Sequence, residues 1–174
     1  MAVVPPPSEP TDAFDGPWDE IEADARTPLP QDYKDFVRLY GSGVFMEFLT
    51  VNIPRVESPY IRFEAEIRTV RKIFYDDDDF IYALWPDSGG LIAFGATDFG
   101  DFLFWQPIGP PEDWRVVVWG RGFQQFEFFD CDLTGFLAGL ATGEIEPDDF
   151  GDMLPCHEMF KRHSDFPERE DPGF

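Results

Sequence analysis

Residues 29–54 change their hydrophobic period across a short glycine-bearing turn, and that change constrains the whole chain. Tyr33, Phe36, Val37 and Tyr40 fall at i, i+3, i+4 and i+7, so one helix face carries all four. Pro30 suits the first turn of this helix, where its missing N–H has no intrahelical partner to lose. Gly41 stands where a left-handed residue closes a helix. After Gly43 the period becomes two, with Phe45, Leu49, Val51 and Ile53 on one side of an expected strand that Pro54 ends. A helix that feeds a strand through Gly41-Ser42-Gly43 points to a mixed α and β fold.

The flanking sequence extends that pattern. A short helix is expected over 17–25, with Trp18 and Ile21 facing the core. Ser58 and Pro59 read as the N-cap and first residue of a helix whose apolar stripe is Tyr60, Phe63, Ile67, Val70 and Phe74. Arg62 with Glu66 and Glu64 with Arg68 are i, i+4 pairs on its outer face. Strands are expected over 80–85, 91–94, 102–105, 114–119 and 123–129, separated by Gly- and Pro-bearing turns. Asp132 then caps a last helix carrying Leu133, Phe136, Leu137 and Leu140, with Gly143 at its end. Consecutive hairpins between helices predict an α+β fold, with a mainly antiparallel or mixed sheet of about six strands. N-terminal, middle and C-terminal helices would cover one face of that sheet.

Residues 1–16 hold Pro5, Pro6, Pro7 and Pro10 and read as a flexible leader, 17–146 as the folded domain, and 147–174 as an acidic tail ordered in part at most. A short helix over 157–162 and disorder beyond 164 are expected in that tail.

The net charge is -22, from 35 Asp and Glu against 13 Lys and Arg. Phosphate backbones and anionic membranes are bound through cationic surfaces, so neither is an expected partner. A basic protein is, because such a field steers cations toward it; solubility alone is the competing explanation. Two cysteines make no disulfide framework, no apolar run is long enough to insert in a membrane, and the N-terminus lacks a signal-type core. These features predict a cytoplasmic chain with reduced thiols, with the monomer favoured.

Catalytic chemistry finds no constellation. His157 and His163 have no ligand pair at metal-binding spacing. Cys156 and His157 are chain neighbours, a geometry that does not orient a base on a thiol, and Cys131 lies at a strand-to-helix junction. With 35 acids every carboxylate spacing arises by chance. No catalytic residue, metal or cofactor is therefore expected. The run Asp76, Asp77, Asp78, Asp79 fails as a calcium loop, because Ile81 and Asp87 stand where a Gly and a Glu are needed. It reads as a solvated loop or as a docking surface for a basic protein. Trp85, Trp105, Trp114 and Trp119 concentrate with Phe99, Phe102 and Phe104 in the sheet region. Core packing accounts for most. The run Phe102-Leu103-Phe104-Trp105 nevertheless sends bulky groups to both faces, leaving some as interface anchors.

Trp18 and Glu22, then Leu29, Pro30, Asp32, Tyr33, Phe36, Tyr40, Gly41 and Gly43, followed by Ile92-Ala93-Phe94-Gly95 and Asp98, resemble the signature of the SUKH superfamily over 17–146. The resemblance implies a non-enzymatic binding module, above all an immunity protein that neutralises a cognate polymorphic toxin by direct binding. The alternative it admits is a housekeeping adaptor of cell-wall or secretion machinery, while an enzyme is the remoter reading. Under the immunity reading Asp76 to Asp79, Asp98 and Asp101 supply charge, Trp85, Trp105 and Trp114 supply anchors, and Gly41 and Gly43 shape the pocket edge.

Overall fold

A computed structural model describes residues 3–74, 80–153 and 158–166. Among these residues it contains four α-helices and one seven-stranded sheet, an α+β fold with one strand more than expected. Helix α1 (Trp18–Ala25) buries Ile21 and Ala25. Helix α2 (Gln31–Tyr40) buries the expected four, Tyr33, Phe36, Val37 and Tyr40. Pro30 is its N-cap rather than part of its first turn. Gly41 closes it at φ 64, and a Cβ there would collide with the Thr11 carbonyl oxygen.

The single strand expected after Gly43 is a hairpin of β1 (Gly43–Phe45) and β2 (Leu49–Val51), with Val44 paired to Thr50 and Phe45 to Leu49. Met46 and Glu47 turn the chain at φ 49 and 67. Hairpin turns with two positive φ values favour Asn and Gly, so these two residues carried no turn signal. Phe45, Leu49, Val51 and Ile53 still face one side because cross-strand partners do.

Helix α3 (Phe63–Ile73) begins four residues later than Ser58-Pro59 indicated. The Ile53 N–H donates to the Ile61 carbonyl and the Phe63 N–H to the Ile53 carbonyl, both at 3.0 Å, so 61–63 serves as a bridge to the hairpin's exit instead of a first helical turn. Tyr60, expected on the apolar stripe, is 87% exposed. Glu66 is buried on the helix's inner side. The Arg62 guanidinium donates to the Val56 and Glu57 carbonyls rather than pairing with Glu66.

The sheet continues through β3 (Ile92–Thr97), β4 (Phe102–Gln106), β5 (Arg115–Gly120) and β6 (Gln125–Phe129), with β7 (Phe160–Arg162) on the far edge. Its order is β6-β5-β4-β3-β2-β1-β7 and every pairing is antiparallel. The segment expected as a helix over 157–162 therefore supplies an edge strand where it is described. Residues 80–85 keep their alternation, with Phe80 and Leu84 buried, yet they cross the face of the sheet instead of joining it. A bridge from Leu84 to Leu91 is their only strand-like pairing among the described residues.

Alternation divides the sheet into two apolar surfaces. On the inner face Phe45, Leu49, Phe94, Leu103, Trp105, Val116 and Val118 pack with α1, α2 and α4 (Leu133–Thr142). On the outer face Ala93, Phe104, Val117 and Trp119 pack with Val70 and Phe74 of α3 and with Phe80 and Leu84. Helices thus cover both faces, not one, because α3 is carried across by the loop after β2. Asp132 caps α4 through a 2.7 Å bond from the Gly135 N–H, as its position indicated. Residues 3–16 lie against the domain: Tyr40 donates its hydroxyl proton to the Val4 carbonyl at 2.5 Å, Thr11 bridges Gly41, and Arg162 donates to the Glu9 carbonyl at 2.9 Å.

Candidate functional site

One row of cross-strand partners runs over the outer face: Lys161, Val44, Thr50, Ala96, Phe102, Trp119, Phe126. Its aromatic half lies under α3 and residues 80–84. Its small-residue half is uncovered. There Val44, Thr50 and Ala96 floor a groove of about 830 Å³, walled by Val56, Glu57, Tyr60 and Ile61 on one side and by Asp12, His163 and Phe166 on the other. Tyr60 is 87% and Phe166 40% exposed, so the rim carries two available rings. Asp12, Glu57 and Asp98 place exposed carboxylates on the same groove.

The walls are held by hydrogen bonds. Asn52 receives the Tyr33 hydroxyl proton on its carbonyl at 2.8 Å and donates Nδ2 to the Tyr60 carbonyl at 3.3 Å. Ser42 donates Oγ–H to Asp12 Oδ2 at 2.8 Å. The Asp98 N–H donates to the Phe48 carbonyl at 2.9 Å, which ties the β3–β4 turn to the β1–β2 hairpin. His163 is half-buried, and that burial lowers its pKa against the opposing pull of Asp12 and Asp98. Its Nδ1 is buried with no hydrogen-bond partner among the described residues.

The residues expected to contact a partner are not brought together. Asp98 lies on the groove and is exposed. Asp101, three residues on, is buried: Thr97 Oγ1 bonds its Oδ2 at 2.5 Å and the Arg121 N–H bonds its Oδ1 at 2.9 Å. It stitches two turns together. Trp105 is 1% exposed among Tyr33, Phe63, Phe94 and Trp114, and Trp114 is 5% exposed with its indole N–H on the Gly109 carbonyl at 3.1 Å. Both are spent on the inner core, Trp105 from β4 and Trp114 from the turn just ahead of β5. Gly41 and Gly43 are buried where chains approach closely, since a Cβ on Gly43 would enter the Phe160 ring. Neither lines the groove. Trp85 is half-buried, donates its indole N–H to the Ala25 carbonyl at 2.7 Å, and lines a second cleft on the other side of the Val56–Glu57 wall. Asp76, Asp77, Asp78 and Asp79 lie outside the described residues.

The sequence reading missed Asp12, Glu57, Tyr60 and Phe166. The first and last stand in segments read as leader and tail, and Tyr60 looked like part of a helical stripe. A signal was present in Ser58-Pro59: two loop-favouring residues ahead of an aromatic fit an exposed loop tip as well as a helix start.

Cys131 is the cysteine among the described residues. Burial and the nearby Asp132, Asp130 and Asp32 carboxylates push the Cys131 thiol up to about 11, so it stays protonated at neutral pH. Among the described residues no three His, Cys, Asp or Glu side chains group as metal ligands. No helix among them is long and apolar enough to cross a membrane.

A single antiparallel sheet with helices on both faces and one open sheet-face groove defines a small α+β domain. The family model described as SMI1-KNR4 cell-wall, one of the SUKH set, matches residues 15–137, and the chain belongs to that family. No curated protein and no solved structure matches it.

Proposed function

We propose that this chain is a non-enzymatic binding protein that holds a basic protein partner in the open groove of its sheet. The carrying observation is the groove itself: the uncovered half of an otherwise covered sheet face, rimmed by Tyr60, Phe166 and the carboxylates of Asp12, Glu57 and Asp98. Aromatic rings are efficient interface anchors, and carboxylates at the rim steer a cationic surface and set its orientation. The charge of -22 extends that steering beyond the groove.

Family membership favours immunity as the biological setting, with the partner a secreted toxin domain. Many such toxins are nucleases, whose phosphate-binding clefts are basic and can be occupied by an acidic protein. The cytoplasm is where such a protein would act.

The test is affinity capture from native lysate at low and at physiological salt, followed by an activity assay on the recovered protein. A toxin whose activity falls on adding this chain in equal amount, and whose affinity drops for Asp12→Lys and Asp98→Lys, supports the proposal. A recovered envelope or secretion component with unaltered activity replaces immunity with the adaptor reading. Affinity indifferent to both charge reversals removes the groove.

A further inference from the structure

Cations in this molecule are distributed unlike acids. Among the described residues, the lysines and arginines without an ion pair are Arg26, Arg62, Arg68, Lys72 and Arg121. Three of these, Arg26, Arg62 and Arg68, line one cleft of about 790 Å³, and Arg55 joins them. With 35 acids against 13 bases, an exposed arginine readily meets a carboxylate. Three arginines without an ion pair on one concavity are therefore not what composition alone provides.

Backbone conformation points the same way. Arg26 ends α1 at φ 56 and ψ 29, and Arg55 sits at φ 63. Glycine occupies such left-handed positions without steric conflict, so an arginine at both runs against local preference. Arg62 is locked by its bonds to the Val56 and Glu57 carbonyls. Arg55 is engaged by Glu20 at 3.3 Å and Asp24 at 3.7 Å. Of the carboxylates on the cleft, Asp24 is thereby matched, which leaves Arg26 and Arg68, beside an Arg62 held on backbone carbonyls, against Glu57 and Glu64. Phe63 and Trp85 complete an apolar wall.

Val56 and Glu57 belong to both concavities, so an acid-rimmed groove and an arginine-lined cleft lie back to back across one loop. We propose that the cleft receives carboxylates from an acidic segment of the same protein partner whose basic surface fills the groove. This rests on the groove reading above and makes recognition dipolar. Guanidinium forks match carboxylates in two parallel hydrogen bonds, and a sign change across one wall fixes the docking register while rejecting uniformly basic proteins.

The test is a ¹⁵N-edited NMR titration of the full chain with oligoglutamate and, separately, with oligolysine at low salt. Bulk electrostatics repels oligoglutamate from a chain of charge -22, so a saturable shift can arise only at a local site. The expected result is a saturable shift of the Trp85 indole and of the Arg26 and Arg68 signals, lost in Arg26→Gln/Arg68→Gln. Arg68→Gln alone, on an exposed position of α3, should reduce it and covers a folding failure of the double variant. Absence of a saturable shift, or one unchanged in both variants, overturns the cleft proposal. Oligolysine reports separately on the groove: shifts at Asp12, Tyr60 and Asp98 uphold that reading whichever way the cleft behaves, and shifts confined elsewhere remove it together with the dipolar proposal.

Discussion

Glu66 is a buried carboxyl on the inner side of α3, 7% exposed, with Oε1 lacking any hydrogen-bond partner among the described residues. Burial raises its pKa from 4.5 to about 7. The folded state therefore holds this proton more tightly than the unfolded chain does. Its contribution to stability is fully present below about pH 4.5, declines as pH rises through about 7, and is flat above. At 1.36 kcal/mol per unit, the shift amounts to about 3 kcal/mol lost across the window. Replacing Glu66 by Gln keeps the shape and removes the titration. The variant should match wild type to within about 1 kcal/mol near pH 5 and exceed it by about 3 kcal/mol near pH 8. For a chain of this length that gap is about 6–12 °C in thermal midpoint. Urea unfolding of both proteins between these limits measures it, and the difference between them cancels the many surface carboxylates they share. Parallel profiles, with a constant offset from acid to alkaline pH, would refute a carboxylate desolvated on the inner side of α3.

Other substitutions separate fold from recognition. Arg26→Gly should raise unfolding stability by about 1 kcal/mol, because glycine relieves the left-handed position, while it weakens the oligoglutamate shift at Trp85; thermal unfolding beside the titration reads both. Gly41→Ala should destabilise by at least ~2 kcal/mol in urea unfolding, since the new methyl meets the Thr11 backbone at positive φ. Trp105→Ala should lose about 3–5 kcal/mol through the cavity it leaves among Tyr33, Phe63, Phe94 and Trp114. Asp98→Lys should instead leave stability within ~0.5 kcal/mol, because its side chain is exposed and only its backbone N–H is bonded, and it should abolish the oligolysine shift in the groove.

Clean periods with matching ends were legible. In α2 and α4 the i, i+3, i+4, i+7 set and the closing glycine agree, in α4 the capping residue as well, and tertiary contacts had nothing to override. Strands β4, β5 and β6 were legible for the same reason, as alternating runs between recognisable turns. The misreadings occur where a backbone bond to a distant residue outweighs a local signal. Ile53 captures residues 61–63 and delays α3, and Met46-Glu47 turns without any residue that favours turning. Phe160–Arg162 becomes a strand only because β1 offers an unpaired edge. Of the candidate site, its sign was legible and its position was not. Charge is a sum over residues, whereas the groove floor joins the β1–β2 hairpin to β3, which lies beyond α3 in the chain. Trp105, Trp114 and Asp101 were chosen by residue type, and strand direction and turn geometry send all three inward.

Positions that disobey a local rule carry the remaining information. A chain whose helices are capped and whose strands alternate is locally consistent, so a local conflict needs a reason outside its own element. Arg26 and Arg55 both stand where glycine fits better, and both border the cleft. Solubility does not explain them, because a chain of charge -22 gains nothing in that respect from two more cations. Core packing does not explain them either, since both side chains are exposed. What the two positions share is that they line a concavity separated by one wall from an acid-rimmed groove. On the dipolar proposal a partner of uniform positive charge would be repelled there, so Arg26 and Arg55 would help to narrow the choice of partner.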